Sequence, residues 1–143
     1  MIVIKNKLIP FGGYTTINLF GILFTKKDIT KKIRNHENIH SVQMIEMVVV
    51  SAVIISIIAS ITNISFWWVF ASIPSYYVWY CIEYMIIRIM HDTQSCSYHD
   101  VSFEEEAYNN DDNLDYISTR KPFAWIKYIR SESNHKDNKN CCK

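Results

Sequence analysis

At 143 residues with a formal net charge of +1, the chain has room for one small domain and no cationic excess that would draw it to nucleic acid. The near-neutral average hides a segregation: no Asp, Glu, Lys or Arg falls between Glu46 and Glu83, which excludes a chain whose charges are spread evenly over its surface. Cys81, Cys96 and the adjacent Cys141 and Cys142 make a poor disulfide framework and read as reduced thiols.

The N-terminal stretches IVIKNKLI and YTTINLFGILFTKK are rich in β-branched and aromatic residues with partial alternation, and Pro10 and Gly12-Gly13 stand between them. This predicts a small β-hairpin over residues 1–27. The opening MIVIKNKLIPFGGY lacks an apolar core followed by a small-residue cleavage site, so no signal peptide is expected. Asp28 or Thr30 can cap the helix that follows, and a helical pattern runs without interruption over residues 31–61.

The 36 residues 47–82 carry no charge, against the roughly 20 apolar residues that one membrane-spanning helix needs. With Thr62-Asn63 as the turn, the stretch predicts a transmembrane hairpin whose second helix covers residues 66–90. Trp67, Trp68, Tyr76, Tyr77, Trp79 and Tyr80 suit a headgroup boundary or packing against the first helix. The bland alternative, a hairpin buried in a soluble protein, would ask a very small domain to cover two helices that are apolar all round. Lys5, Lys7, Lys26, Lys27, Lys31, Lys32 and Arg34 precede the hairpin, and Arg88, Arg120, Lys121, Lys127 and Arg130 follow it, with none in the connecting loop. Both termini are therefore expected on the cytoplasmic side of the inner membrane.

Just before the apolar run stands NHENIHSVQ, which spells H-E-x-x-H. On a helix His36 and His40 project from one face one turn apart and can share a tetrahedral Zn²⁺. Glu37 lies about 100° around the helix from His36 and suits a general base acting on a water at that metal. A third ligand has to come from elsewhere. The second helix would return the chain to the same membrane face, where SYHDVSFEEEAYNNDDNLDY places Glu104, Glu105 and Glu106 on a helix; such a triplet is also a common solvated acidic face.

FEEEAY resembles the E-x-E-A-D helix of integral-membrane gluzincins of the CAAX prenyl protease and heat-shock membrane protease type. The stretches PFGGYTTINLFGILFTKK, NHENIHSVQ, FEEEAY and NLDYISTRKPFAWIKY together resemble a group of small, uncharacterised bacterial membrane proteins of zincin-like kind over nearly the whole chain. The resemblance implies His36, His40 and Glu104 as zinc ligands and Glu37 as the base, with Tyr108 where the family has Asp. Glu105 and Glu106 remain alternatives by one step of register. His91 and His99 could serve as replacement ligands or transition-state donors but read first as solvated loop histidines and are left out of the metal site; Tyr108, Tyr116 and Arg120 are candidate oxyanion donors, with packing and acidic or lipid-phosphate partners as the alternative.

The expected fold is thus a mainly α membrane protein in one domain, residues 1–130: the β-hairpin, the H-E-x-x-H helix and first span, the second span, and over residues 101–130 the Glu helix and a basic amphipathic surface helix with Phe123, Ile126 and Ile129 on its apolar side. Residues 131–143 are an expected disordered tail. The expected function is zinc-dependent hydrolysis of peptide bonds in membrane-associated proteins. Its rivals are a non-catalytic membrane scaffold that retains the fold and, far weaker, a di-metal site, since the only other Glu-x-x-His, Glu132 to His135, lies in the polar tail.

Overall fold

The computed structural model describes residues 2–6, 16–26, 28–90 and 98–129. Within them the molecule is mostly helical, with a small sheet of strands β1 (Ile2–Lys5), β2 (Thr16–Leu19) and β3 (Ile22–Thr25) in the order β1-β3-β2. β2 and β3 pair antiparallel, Leu19 against Ile22, and β1 adds parallel to β3, Ile2 against Ile22. The expected hairpin is present, but its turn is Phe20-Gly21, with φ of 52° and 78°, and the sheet has a third strand. Glycine takes this left-handed conformation freely; Phe20 is held in it. Its N–H donates to the Tyr77 hydroxyl at 3.0 Å, its ring meets the Tyr77 ring edge-on, and Asn18 accepts from the Gly21 N–H. Pro10, Gly12 and Gly13, where the turn was expected, lie outside the described residues, as do Cys96, Cys141 and Cys142, His91, Arg130 and the 131–143 tail.

Helix α1 runs from Lys31 to Thr62, as the sequence predicts. Thr30, not Asp28, caps it: the Thr30 hydroxyl accepts from the Ile33 N–H at 3.2 Å, while Asp28 pairs with Lys5. At the far end Asn63 closes the helix in the left-handed conformation, φ 55°. In its apolar half Ile45, Val49, Val53, Ile54, Ile57 and Ile61 are exposed. The hydroxyls of Ser56, Ser60 and Thr62 donate to carbonyls one turn back, so these three bond within the helix. α1 is the one helix among the described residues long and apolar enough to cross a membrane, and only 6% of its most apolar window is buried.

The return leg departs from the expected second helix over residues 66–90. Phe66–Ser72 is a 3-10 helix and α2 begins afresh at Ser75, running to Met90. Pro74 has no N–H to continue the ladder, and the chain restarts with the Val78 N–H on the Pro74 carbonyl. By Tyr76 the chain is already back beside His40, with the Tyr76 hydroxyl 3.3 Å from that ring. α2 thus lines the functional end of the molecule. Among the described residues a single helix is long and apolar enough to span, and a two-helix transmembrane hairpin is not shown.

Beyond α2 come α3 (Ser102–Asn110), the single turn α4 (Tyr116–Thr119) and a 3-10 helix, Ala124–Tyr128. That last segment was expected as an amphipathic surface helix. Instead Phe123 turns left-handed, φ 58°, and drops Trp125 into the core formed with Tyr76, Val101 and Phe103. Phe123 and Ile129 pack against this core, and Ile126 faces outward. An aromatic at position 125 has more to gain from meeting the Phe103 ring edge-on, 4.8 Å between ring centres, than from lying on a surface.

Candidate metal centre

Glu104 is fixed by what holds the two ends of α3. At its start Glu83 of α2 accepts from the Ser102 N–H at 3.0 Å and from its hydroxyl at 2.8 Å, placing a carboxylate where the helix dipole is positive. At its end the Asn35 amide of α1 donates to the carbonyls of Asn110, Asp111 and Asn113. Pinned to both helices, α3 turns Glu104 toward α1.

His36, His40 and Glu104 meet there, and they are the one group of three candidate metal ligands among the described residues. The His36 and His40 Nε2 atoms are 3.0 Å apart, and Glu104 Oε2 stands 3.4 Å from the first and 3.5 Å from the second. A tetrahedral zinc with bonds of about 2.0–2.1 Å has its ligand atoms about 3.3 Å apart, so the three spacings match the edges of such a site. The three side chains are 13, 11 and 4% exposed, and Glu104 Oε2 is buried without a hydrogen bond. Two nitrogens and an oxygen converging in a buried place suit a divalent metal ion.

Each ligand is backed. Gln43 turns its amide nitrogen to the Phe103 carbonyl and the Glu106 carboxylate, so its Oε1 accepts from His40 Nδ1, 2.9 Å away. That fixes the tautomer with the Nε2 lone pair facing the group. His36 Nδ1 faces Asp111 Oδ2 at 3.9 Å, and its ring packs on Tyr108 with centres 4.6 Å apart. The Tyr80 hydroxyl donates to the other oxygen of Glu104 at 3.2 Å. Burial raises the Glu104 carboxyl, but the two histidines outweigh it and hold it well below the usual carboxylate range. Burial likewise lowers the His40 imidazole, and the Glu104 charge overrides it, leaving His40 at about 9.

The group opens on a cavity of about 650 Å³ between β2, α1, α2 and α3, which Glu37 also lines. β2 forms one wall through Thr16, Ile17 and Asn18, and it is held there by the Asn18 amide donating to the Glu37 carbonyl at 3.1 Å. Tyr76, Tyr77, Tyr80, Tyr98 and Tyr108 supply most of the aromatic lining.

The sequence-predicted residues divide clearly. His36, His40 and Glu104 come together and Glu37 is beside them. Glu106 is turned away to Arg120 and Tyr116, and Glu105, though buried, is outside the three-residue group. Tyr116 and Arg120 are committed to Glu106 on the far side of α3 and are absent from the cavity wall, which corrects their expected role as oxyanion donors; Tyr108 does line it. His99 packs at a tilt against Tyr108, 4.5 Å between ring centres, and is not one of the three.

Gln43 and Asp111 were not anticipated. Gln43 stands three residues after His40 on the same face, a spacing that marks it in retrospect. Asp111 sits in the acidic run NNDDN, where one carboxylate looks like the next. Comparison with family models, curated proteins and solved structures returns no match to this chain.

Proposed function

We propose that the protein is a zinc-dependent membrane metallopeptidase, with His36, His40 and Glu104 as ligands and Glu37 as general base. The observation that carries the reading is the spacing of the three buried donor atoms at tetrahedral edge distances, with Glu37 on the wall of the same cavity. Zinc, when bound, supplies Lewis acidity that polarises a scissile carbonyl and brings the pKa of water toward about 7. Glu37 takes the proton of the attacking water and returns it to the leaving amine. Of the tyrosines on the wall, Tyr108 is the candidate donor to the developing oxyanion. Among the described residues β2 pairs with β3 alone, so an extended peptide can add along its other side and be read mainly through its backbone.

The exposed apolar half of α1 supports insertion into a lipid bilayer. We place this half and the returning Phe66–Ser72 segment in the inner membrane, entering and leaving on the cytoplasmic side. Both termini and the cavity then share that side. Membrane-associated or membrane-adjacent proteins are the substrates this arrangement reaches.

The test separates metal from chemistry. Purified protein should hold about one zinc per chain, and Glu104→Ala should lose most of it, as any three-ligand site does on losing a ligand. Glu37→Gln should keep zinc and fold while metal-dependent fragments accumulating in native membranes fall by about 10² to 10⁴-fold. Undiminished cleavage by zinc-loaded Glu37→Gln protein rules the mechanism out. Fragment profiles that never differ, with zinc bound, favour the non-catalytic scaffold.

A further inference from the structure

Behind His40, on the side away from the cavity, four side chains form a continuous network, with Gln43 and Glu106 buried and Glu46 at its partly exposed edge. Gln43 links His40 Nδ1 to Glu106, whose carboxylate is 0% exposed. Arg120, 2% exposed, donates from Nε to Glu106 Oε1 at 2.6 Å and from Nη2 to Oε2 at 3.1 Å. The same guanidinium donates to both oxygens of Glu46 on α1, at 2.5 and 3.1 Å. Two carboxylates against one cation leave a negative charge, and three further donors spread it: the Tyr116 hydroxyl at 2.8 Å, the Gln43 amide at 3.0 Å and the Phe123 N–H at 2.9 Å.

A buried ionic cluster of this kind is a poor way to gain stability, because desolvation consumes most of the attraction. What it does provide is direction, since a fully satisfied network admits one arrangement of its members. Here that arrangement joins the helix bearing His36 and His40 to the helix bearing Glu104. None of Gln43, Glu106, Arg120 or Glu46 lines the cavity, so none can touch a substrate there.

We propose that Gln43, Glu106, Arg120 and Glu46 are positioning residues that set the ring of His40, and with it the register of α1 against α3, so that metal affinity is controlled from a cluster that makes no contact with metal or substrate. The inference rests on the zinc reading above. Gln43 is the direct link and Arg120 the clamp that keeps Glu106 from turning.

The test titrates chelator-stripped protein in detergent with Zn²⁺ against a chromophoric competitor, and records the visible spectrum of the Co²⁺-substituted form. Gln43→Leu removes the acceptor for His40 and should weaken zinc binding by about 10- to 100-fold, the range for loss of a partner that orients a ligand, and should change the Co²⁺ bands. Arg120→Lys keeps the charge but loses the fork, and should move both readings in the same direction. Leu23→Ala removes packing in the sheet outside the network; it should lower the denaturation midpoint and leave zinc affinity and Co²⁺ bands as they are. Unchanged affinity and spectrum in folded Gln43→Leu protein overturn the network while the metallopeptidase reading stands. If Gln43→Leu does not fold, the Arg120→Lys titration decides by the same criterion. Wild-type protein that takes up no stoichiometric metal removes both proposals together.

Discussion

Burial alone would discharge the His40 imidazole; the Glu104 carboxylate beside it wins, and the folded-state pKa rises from 6.5 to about 9. A group whose pKa rises on folding stabilises the fold fully below its unfolded value and loses that stabilisation as pH climbs through the folded one. Chelator-stripped protein should therefore show a falling denaturation midpoint as pH rises from about 6.5 to about 9. Zinc has to displace the same proton, so its apparent affinity should rise over that window. A midpoint and an affinity both flat with pH would falsify the His40–Glu104 contact. At this scale the sequence was most legible where spacing alone decides: His36, Glu37 and His40 need only a helix to share a face. A resemblance singled out Glu104 from Glu105 and Glu106, and α3's two anchors bring Glu104 into the group with His36 and His40. Gln43 and Asp111 were not legible, because their meaning depends on how α3 docks, which no local pattern encodes.

Elements built on strong local signals emerge where the sequence puts them. α1 has no Gly or Pro between Lys31 and Thr62 and is capped by Thr30 at one end and Asn63 at the other. The return leg was misread because a segment that is apolar all round has no period to betray a break; Pro74 was the available signal, and it ends the 3-10 turn and starts α2. The sheet turned on a similar point. Phe20-Gly21 looked like strand interior, but its left-handed backbone, φ 78° at Gly21, makes it the hairpin turn. Gly21→Ala meets no neighbouring atom within 4 Å, so its cost is conformational, about 1 kcal/mol. Faster amide exchange at Leu23 and Phe24, with the α1 amides unaffected, is the expected signature; equal protection in both proteins would show that the turn tolerates a side chain.

Charge segregation was the largest fact in the sequence, and the whole molecule follows it: one end carries the sheet, the cavity and the ionic cluster, the other an exposed apolar arm. Reporters fused at residue 1 and after Lys143 should both report cytoplasm, and the protein should resist alkaline extraction from membranes. Opposite locations would put His36 and Glu104 on different sides of the bilayer and rule the site out, whereas release into the soluble fraction would remove the bilayer from the proposal. The expectation draws on the return leg, which brings the chain back beside His40 by Tyr76. Global topology was only partly legible, since hydropathy reports which residues avoid water and not how far the chain travels before it turns.

The uninterrupted course of α1 also acts as a ruler. His40 and Met47 lie on one rigid helix, seven residues and so about 10 Å apart along its axis, with no joint at which that interval can change. On the proposed reading the cutting height above the lipid is therefore built into the backbone. A bond close to where a client chain leaves the bilayer is within reach. One held much farther out can be cleaved only if the client bends back toward the surface. Selection of clients would then depend on where their extended segments lie relative to the membrane as much as on which residues flank the bond.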